Sequence, residues 1–109
     1  MRRLIIIMSM ISFLFGKVRI VSSTTDIADI ARLIGGDYVT VTSIARGNQD
    51  PHYVEILPSY MVKVRKADIY FMVGMELDLW AQQIIDGSRN QKVLVVDCSV
   101  EINKMEVPT

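Results

Sequence analysis

Cysteine, histidine and tryptophan each occur only once in this chain of 109 residues, as Cys98, His52 and Trp80. A single cysteine excludes an internal disulfide, and its place at the end of an apolar run predicts a small, buried hydrophobic residue. Basic and acidic residues balance at 12 each, so the chain lacks the excess of positive charge that marks a nucleic-acid-binding surface. No nucleic acid is therefore expected among its partners.

Common catalytic and nucleotide-binding patterns are also missing from the sequence. The chain has no G-x-G-x-x-G and no G-x-x-x-x-G-K-[ST], so nothing indicates nucleotide binding. It has no H-E-x-x-H, no G-x-S-x-G and no paired catalytic acids, which argues against a hydrolase. These absences favour a binding protein over an enzyme.

The first sixteen residues have the order of a secretory signal peptide. Arg2 and Arg3 precede an apolar run over residues 4–15, and the small Gly16 follows. This run is too short for a membrane-spanning helix, which needs roughly 20 residues. We expect residues 1–16 to be cleaved, although a buried strand or an uncleaved anchor is the alternative. No cysteine lies near the cut for lipid attachment, so the expected location is the periplasm.

Strand and helix patterns alternate along residues 17–109, and half of the whole chain is apolar. The predicted strands are 18–21, 38–44, 69–73 and 93–96, and the predicted helices are 25–34, 59–66 and 77–85. Such alternation predicts an α/β fold, a parallel sheet with helical crossovers. The last two strands are continuous apolar runs, which predicts burial on both faces. The first helix has apolar residues at i, i+3, i+4 and i+7, which predicts a buried face of Ile27, Ile30, Ala31 and Ile34.

Two polar stretches, residues 22–25 and 50–52, follow the carboxyl ends of predicted strands, where parallel α/β sheets bind ligands. His52 is therefore a candidate metal ligand, because histidine is the commonest metal-ligating side chain. An exposed or structural histidine is the alternative. Asp50 either holds the second ring nitrogen of His52 or is a turn residue before Pro51. Residues 22–25 either line the same crevice or shape a turn. Glu55 is expected to be solvated or to cap a helix. Trp80 is expected in the core or as an anchor of the third helix.

The segment from about residue 19 to residue 98 resembles the first half of the N-terminal lobe of the ZnuA-like zinc- and manganese-binding solute-binding proteins of ABC importers. The order and spacing of several short pieces carry this resemblance. They are the opening strand with Ser22-Ser23-Thr24-Thr25, Ile34-Gly35-Gly36-Asp37, Asp50-Pro51-His52 with Glu55 and Pro58-Ser59, Lys66-Ala67-Asp68-Ile69, and Gly74 followed by Leu77 and Trp80. The chain departs from the family at Ile56, where proline is frequent, and at Asp78, where glutamate is frequent. Neither is a ligand position in the family.

The resemblance implies that His52 is the first metal ligand and that residues 17–109 form the N-terminal part of the first lobe of a two-lobed protein. The family's other ligands would lie beyond Thr109, so the chain looks truncated. Zinc is typically held by four ligands, and we therefore expect this piece to bind metal weakly or not at all.

The function that the resemblance implies is that of a periplasmic binding component, a monomer when full length, that delivers a divalent metal ion to a membrane permease. Zinc is the expected transported ligand, with manganese or iron as the alternative. Three further interpretations stay open, namely an adhesin-type relative, a metal-dependent hydrolase that uses His52 and Asp50, and a degraded gene product. A degraded product would expose one face of its sheet and should aggregate.

Overall fold

A computed structural model of the chain describes residues 16–103 and 105. Its elements are β1 (Val18–Ser22), α1 (Thr25–Gly35), a 3₁₀ turn (Gly36–Tyr38), β2 (Val39–Ser43), α2 (Pro58–Arg65), β3 (Ile69–Met72), α3 (Ala81–Ser88) and β4 (Leu94–Asp97). The predicted signal peptide, apart from Gly16, lies outside the described residues. Within those residues, no helix combines the length and the apolar character needed to cross a membrane.

The four strands form one parallel sheet in the order β2-β1-β3-β4. β1 lies in the middle, where Ile20 pairs with Val41 on one side and with Ile69 on the other. A helix lies between each strand and the next one along the chain. The predicted α/β fold with a parallel sheet is therefore confirmed.

Apolar side chains form a separate cluster on each face of the sheet, because successive residues of a strand point to opposite faces. The larger cluster lies between the sheet and α2 and α3, and its fully buried members include Val64, Tyr70 and Ile84. The smaller cluster joins α1 to the sheet through Ala28 and Ile20. The core thus holds the strands together while leaving their carboxyl ends to the loops.

The buried face of α1 agrees with the predicted one only in part, because Ile27 and Ala31 are half-buried while the other two residues are exposed. Ile30 is 56% exposed and Ile34 is 82% exposed. The helix turns its small residues towards the sheet instead: Ala28 is fully buried, and Gly35 lies so close to Val39 that a Cβ there would come within 2.4 Å of it. Small side chains allow this close approach, and the larger isoleucines remain on the outer flank.

The third helix starts later than predicted, at Ala81 rather than at residue 77. Met75 and Glu76 have φ angles of 53° and 65°, which are left-handed and incompatible with an α-helix. The helix also continues to Ser88, beyond its predicted end at residue 85, and Arg89 closes it with a φ of 56°. Turn residues therefore occupy the first four of the nine residues of the predicted helix.

The last strand and Cys98 are not buried as predicted. Leu94 is 59% exposed, and Cys98 is exposed too. β4 is an edge strand, with β3 as its only neighbour among the strands of the described part of the chain. β3 itself fits its prediction only in part, because Tyr70 is fully buried while the other three residues of the strand are half-buried.

Candidate metal site

His52 lies in a turn on the loop between β2 and α2, with its side chain 57% exposed. Asp50 Oδ1 accepts the backbone N–H of His52 at 3.0 Å and lies 2.8 Å from the ring Nδ1 of the same residue. Both interpretations of Asp50 are therefore confirmed, because one carboxylate oxygen shapes the turn and also contacts the ring. Within the described residues, Nε2 has no hydrogen-bond partner and remains available to a ligand.

The electrostatics of the pair favour this arrangement. The backbone N–H of His52, followed by its ring, lowers the pKa of Asp50, so this carboxyl group stays ionised at neutral pH. A carboxylate can only accept a hydrogen bond, and a neutral imidazole beside it must therefore carry its proton on Nδ1. The lone pair is then on Nε2, which is the arrangement found in histidines that bind a metal with a carboxylate behind them.

Trp80 connects the His52 loop to the core of the protein. Its indole N–H donates to the carbonyl oxygen of Pro51 at 2.7 Å, and the side chain is only 8% exposed. The expectation that Trp80 lies in the core or anchors the third helix is confirmed, since it packs in the larger core cluster and directly precedes Ala81, the first residue of α3. The hydrogen bond to Pro51 was not predicted. The usual need of a buried indole N–H for a partner was the only sequence signal for it.

Asp78 is a buried polar residue that sequence reasoning missed. Its side chain is 1% exposed, and its two carboxylate oxygens accept the N–H groups of Val73 at 2.8 Å and Gly74 at 3.0 Å. These bonds fold residues 73–80 into a fixed turn at the carboxyl end of β3. An aspartate shortly after a glycine is a familiar turn signal, but it does not reveal burial.

The polar residues after β1 lie inside the turn rather than along an open crevice. Ser22 and Ser23 are fully buried, and Thr24 is 8% exposed. Ser22 Oγ donates to the carbonyl of Thr24 at 2.7 Å, and Ser23 Oγ lies 2.8 Å from the hydroxyl of Tyr70. Of the two interpretations, the structure supports the one in which these residues shape the turn.

Among the residues that the structure describes, no third ligating side chain lies beside His52 and Asp50. In the part of the chain that the structure describes, no group of three His, Cys, Asp or Glu residues could hold a metal ion. Glu55 is exposed and lines a polar hollow of about 400 Å³ on the same loop, whereas His52 does not line it. The site is therefore limited to one ring nitrogen and the carboxylate behind it.

Comparison with known proteins gives this site its context. The family model described as ZnuA, zinc-uptake complex component A, periplasmic, matches residues 20–108. The chain belongs to the ZnuA family. The resemblance drawn from its sequence motifs is thereby confirmed.

The curated relatives that this chain matches are much longer than the chain itself. It is 32% identical over 80 residues to the manganese ABC transporter substrate-binding lipoprotein scaA of Streptococcus gordonii, covering 70% of this chain and 26% of the relative. It is 30% identical over 97 residues to the manganese ABC transporter substrate-binding lipoprotein PsaA of Streptococcus pneumoniae, covering 83% and 31%. The chain thus spans between a quarter and a third of the curated relatives it matches.

A crystal structure of ZnuA superposes on this chain with a TM-score of 0.76 at 24% identity, over 84% of this chain and 36% of the other. At that identity the likeness concerns the fold. It agrees with the parallel sheet and helices described above.

Proposed function

We propose that this chain is the N-terminal part of the first lobe of a substrate-binding component of a metal ABC importer, and that His52 is a ligand to the transported metal. The proposal rests on the 2.8 Å contact between Asp50 Oδ1 and His52 Nδ1. It holds the ring from the Nδ1 side and leaves Nε2 free on an exposed turn, as carboxylates behind metal-binding histidines do. Membership of the ZnuA family supports the same role.

Zinc is the metal we propose, and manganese is the second candidate. An imidazole nitrogen suits zinc well, and the matched family model is described as a zinc-uptake component. Manganese is favoured by the names of scaA and PsaA, both manganese lipoproteins. In either case His52 would be one of about four ligands, and the others would come from outside the group formed with Asp50.

The remaining parts of the proposal concern location and partners. Residues 1–16 would direct export to the periplasm, and residues 17–109 would belong to the first of two lobes. The full-length protein would act as a monomer and deliver its metal to a membrane permease. The family description as a periplasmic uptake component supports capture of a metal rather than catalysis, and a metal hydrolase gains no support from it.

Zinc titration followed by NMR tests the proposal directly. In the ¹⁵N-labelled chain, zinc should shift the ring nitrogens of His52 and the backbone amides of Asp50, His52 and Tyr53, with weak affinity. The variant His52→Ala should lose these shifts, whereas Asn48→Ala, an exposed residue on the same loop, should retain them. Unchanged zinc-dependent shifts in His52→Ala would contradict the proposal, and a parallel manganese titration compares the two metals.

A further inference from the structure

The loop that carries His52 depends on one long-range hydrogen bond. The other hydrogen bonds of residues 46–56 join residues of the loop to one another. Among the described residues, the bond from Trp80 to Pro51 is the one that connects these residues to a distant part of the chain. The buried side chain of Val54 adds an apolar contact with the core. Among the described residues, Trp80 therefore makes the one hydrogen bond that ties the turn around His52 to the core, beside the apolar contacts of Val54 and Ile56.

The donor in this bond is itself held firmly in place. Trp80 packs in the larger core cluster together with Ala81 and Ile84 of α3. Two residues earlier, the Asp78 carboxylate is bonded to the backbone at the end of β3. The indole N–H is thus fixed from the helix side and from the strand side.

The acceptor in this bond belongs to the peptide unit that links Pro51 to His52. The C=O of this unit accepts from the Trp80 indole, and its N–H donates to Asp50 Oδ1. Because a peptide unit is planar, fixing both polar ends fixes the orientation of the whole plane. The same Asp50 oxygen also contacts the ring Nδ1, so the ring direction follows from the orientation of this peptide.

We propose that Trp80 is the positioning residue for His52. Its indole N–H fixes the peptide between Pro51 and His52, and this peptide in turn places the imidazole so that Nε2 points towards the metal. The inference rests on the proposed role of His52 as a ligand. Holding His52 in place before the metal binds matters most in an exposed turn. The loss of loop entropy would otherwise oppose metal binding.

The variant Trp80→Phe tests this proposal, because it keeps an aromatic ring in the core and removes only the N–H donor and part of the ring area. The first measurement needs no metal: ¹⁵N NMR of the His52 ring reports which nitrogen carries the proton. We expect the Nδ1-protonated form in the unmodified chain and a mixture of the two tautomers in Trp80→Phe. The affinity for zinc should fall by roughly three- to tenfold. This is near the lower end of the losses seen when a residue that supports a metal ligand is removed.

Ile84→Val is the matched control. It removes one methylene from the same core cluster without touching the bond to Pro51, and it should lower stability while leaving the His52 tautomer and the zinc affinity unchanged. A variant Trp80→Phe that differs from the unmodified chain only in stability would overturn the proposal. If zinc perturbs no residue of the unmodified chain, His52 and Asp50 alone are too few to hold the metal, and the tautomer measurement by itself decides the role of Trp80.

Hydrogen exchange of the indole N–H provides a test that needs no variant and covers the case in which Trp80→Phe does not fold. Trp80 is the only tryptophan, so its indole N–H gives a single resonance. Exchange as slow as that of core amides supports a persistent bond to Pro51. Exchange at the rate of a free indole would show that the bond does not hold the loop, and would overturn the proposal.

Discussion

Asp78 and Gly74 form a buried pair at the carboxyl end of β3, in which the Gly74 N–H donates to Asp78 Oδ1 at 3.0 Å. The other carboxylate oxygen accepts the N–H of Val73. The turn that follows contains Met75 and Glu76, both with left-handed backbone conformations. Residues that carry a side chain rarely adopt such conformations. A single carboxylate thus stabilises a backbone path that the local sequence would not favour.

Asp78→Ala should therefore destabilise the fold strongly. The substitution leaves the N–H groups of Val73 and Gly74 without their acceptor at a buried site, and we expect the free energy of unfolding to fall by roughly 2–4 kcal/mol. Urea denaturation measures this loss. Asp37→Ala is the control, because Asp37 is exposed and its carboxylate makes no hydrogen bond within the described residues. Equal effects of the two substitutions would contradict the role given to Asp78.

Gly74→Ala should also be costly, for two separate reasons. The φ of Gly74 is +82°, and a Cβ would lie 2.1 Å from Asp97 Oδ1, an atom that accepts hydrogen bonds from Ser99. We expect a loss of roughly 2–4 kcal/mol in the free energy of unfolding. Gly47→Ala is the matched control, since its Cβ would make only an ordinary 3.6 Å contact with Thr25. Thermal melts of the two variants should differ clearly.

Tyr70 should make stability depend on alkaline pH. Burial raises the pKa of its hydroxyl, so the folded state retains the proton at pH values where the unfolded chain has lost it. The stabilising contribution is complete below the unfolded pKa of about 10, and it declines by about 1.4 kcal/mol per pH unit above that value. Urea denaturation from about pH 8 to pH 11 should show this decline in the unmodified chain.

Tyr70→Phe should remove that part of the alkaline decline. It should also cost roughly 1–2 kcal/mol at neutral pH, because the buried hydroxyl of Ser23 loses its partner. Tyr53→Phe, which changes a tyrosine that is 80% exposed, should preserve the decline. If the two variants had the same pH profile as each other, titration of Tyr70 would not explain it.

The exposed edge of the sheet should promote self-association of this chain. Leu94 is 59% exposed on β4, a strand whose outer edge has no strand partner among the described residues. Open edges and apolar patches are sites of aggregation. Leu94→Lys should therefore raise the monomer fraction in analytical ultracentrifugation. Gln91→Lys adds the same charge at an exposed polar position and should have little effect. A chain that is already monomeric and melts cooperatively would contradict this prediction.

Much of the fold could be predicted from the sequence, because the patterns of its elements are local. The bounds of the four predicted strands agree with the structure to within one residue at each end, as do those of the second helix. Proline at the first position of α2 and the glycine pair at the end of α1 mark helix ends by restricting or freeing φ. Alternation of these elements then leads to a parallel sheet.

The errors in the predicted fold arise where contacts between residues far apart in the chain determine the local structure. Periodicity predicted a start for α3 near residue 77, but the bonds from Asp78 back to the end of β3 impose a turn there. Periodicity also made Ile30 and Ile34 the buried face of α1, whereas the close approach at Gly35 selects a different face. Hydrophobicity identifies candidates for burial but does not tell which of them the sheet covers.

The candidate site shows the same division. The contact between Asp50 and His52 spans two residues, and the sequence predicted it from known chemistry of ligated histidines. The bond between Trp80 and Pro51 spans 29 residues and depends on how the loops after β2 and β3 meet. No periodic pattern carries that information. The role of His52 as a ligand remains a prediction for the zinc titration.

The central place of β1 has a consequence for the order in which the chain can fold. Val18 pairs with Val39, but Ile20 completes its second pairing only with Ile69. Closing the longer loop costs more chain entropy, and non-local parallel pairing is intrinsically slow. During synthesis one edge of β1 stays unpaired until residue 69 has left the ribosome. Completion of the sheet around β1 is thereby delayed until this later part of the chain has been synthesised.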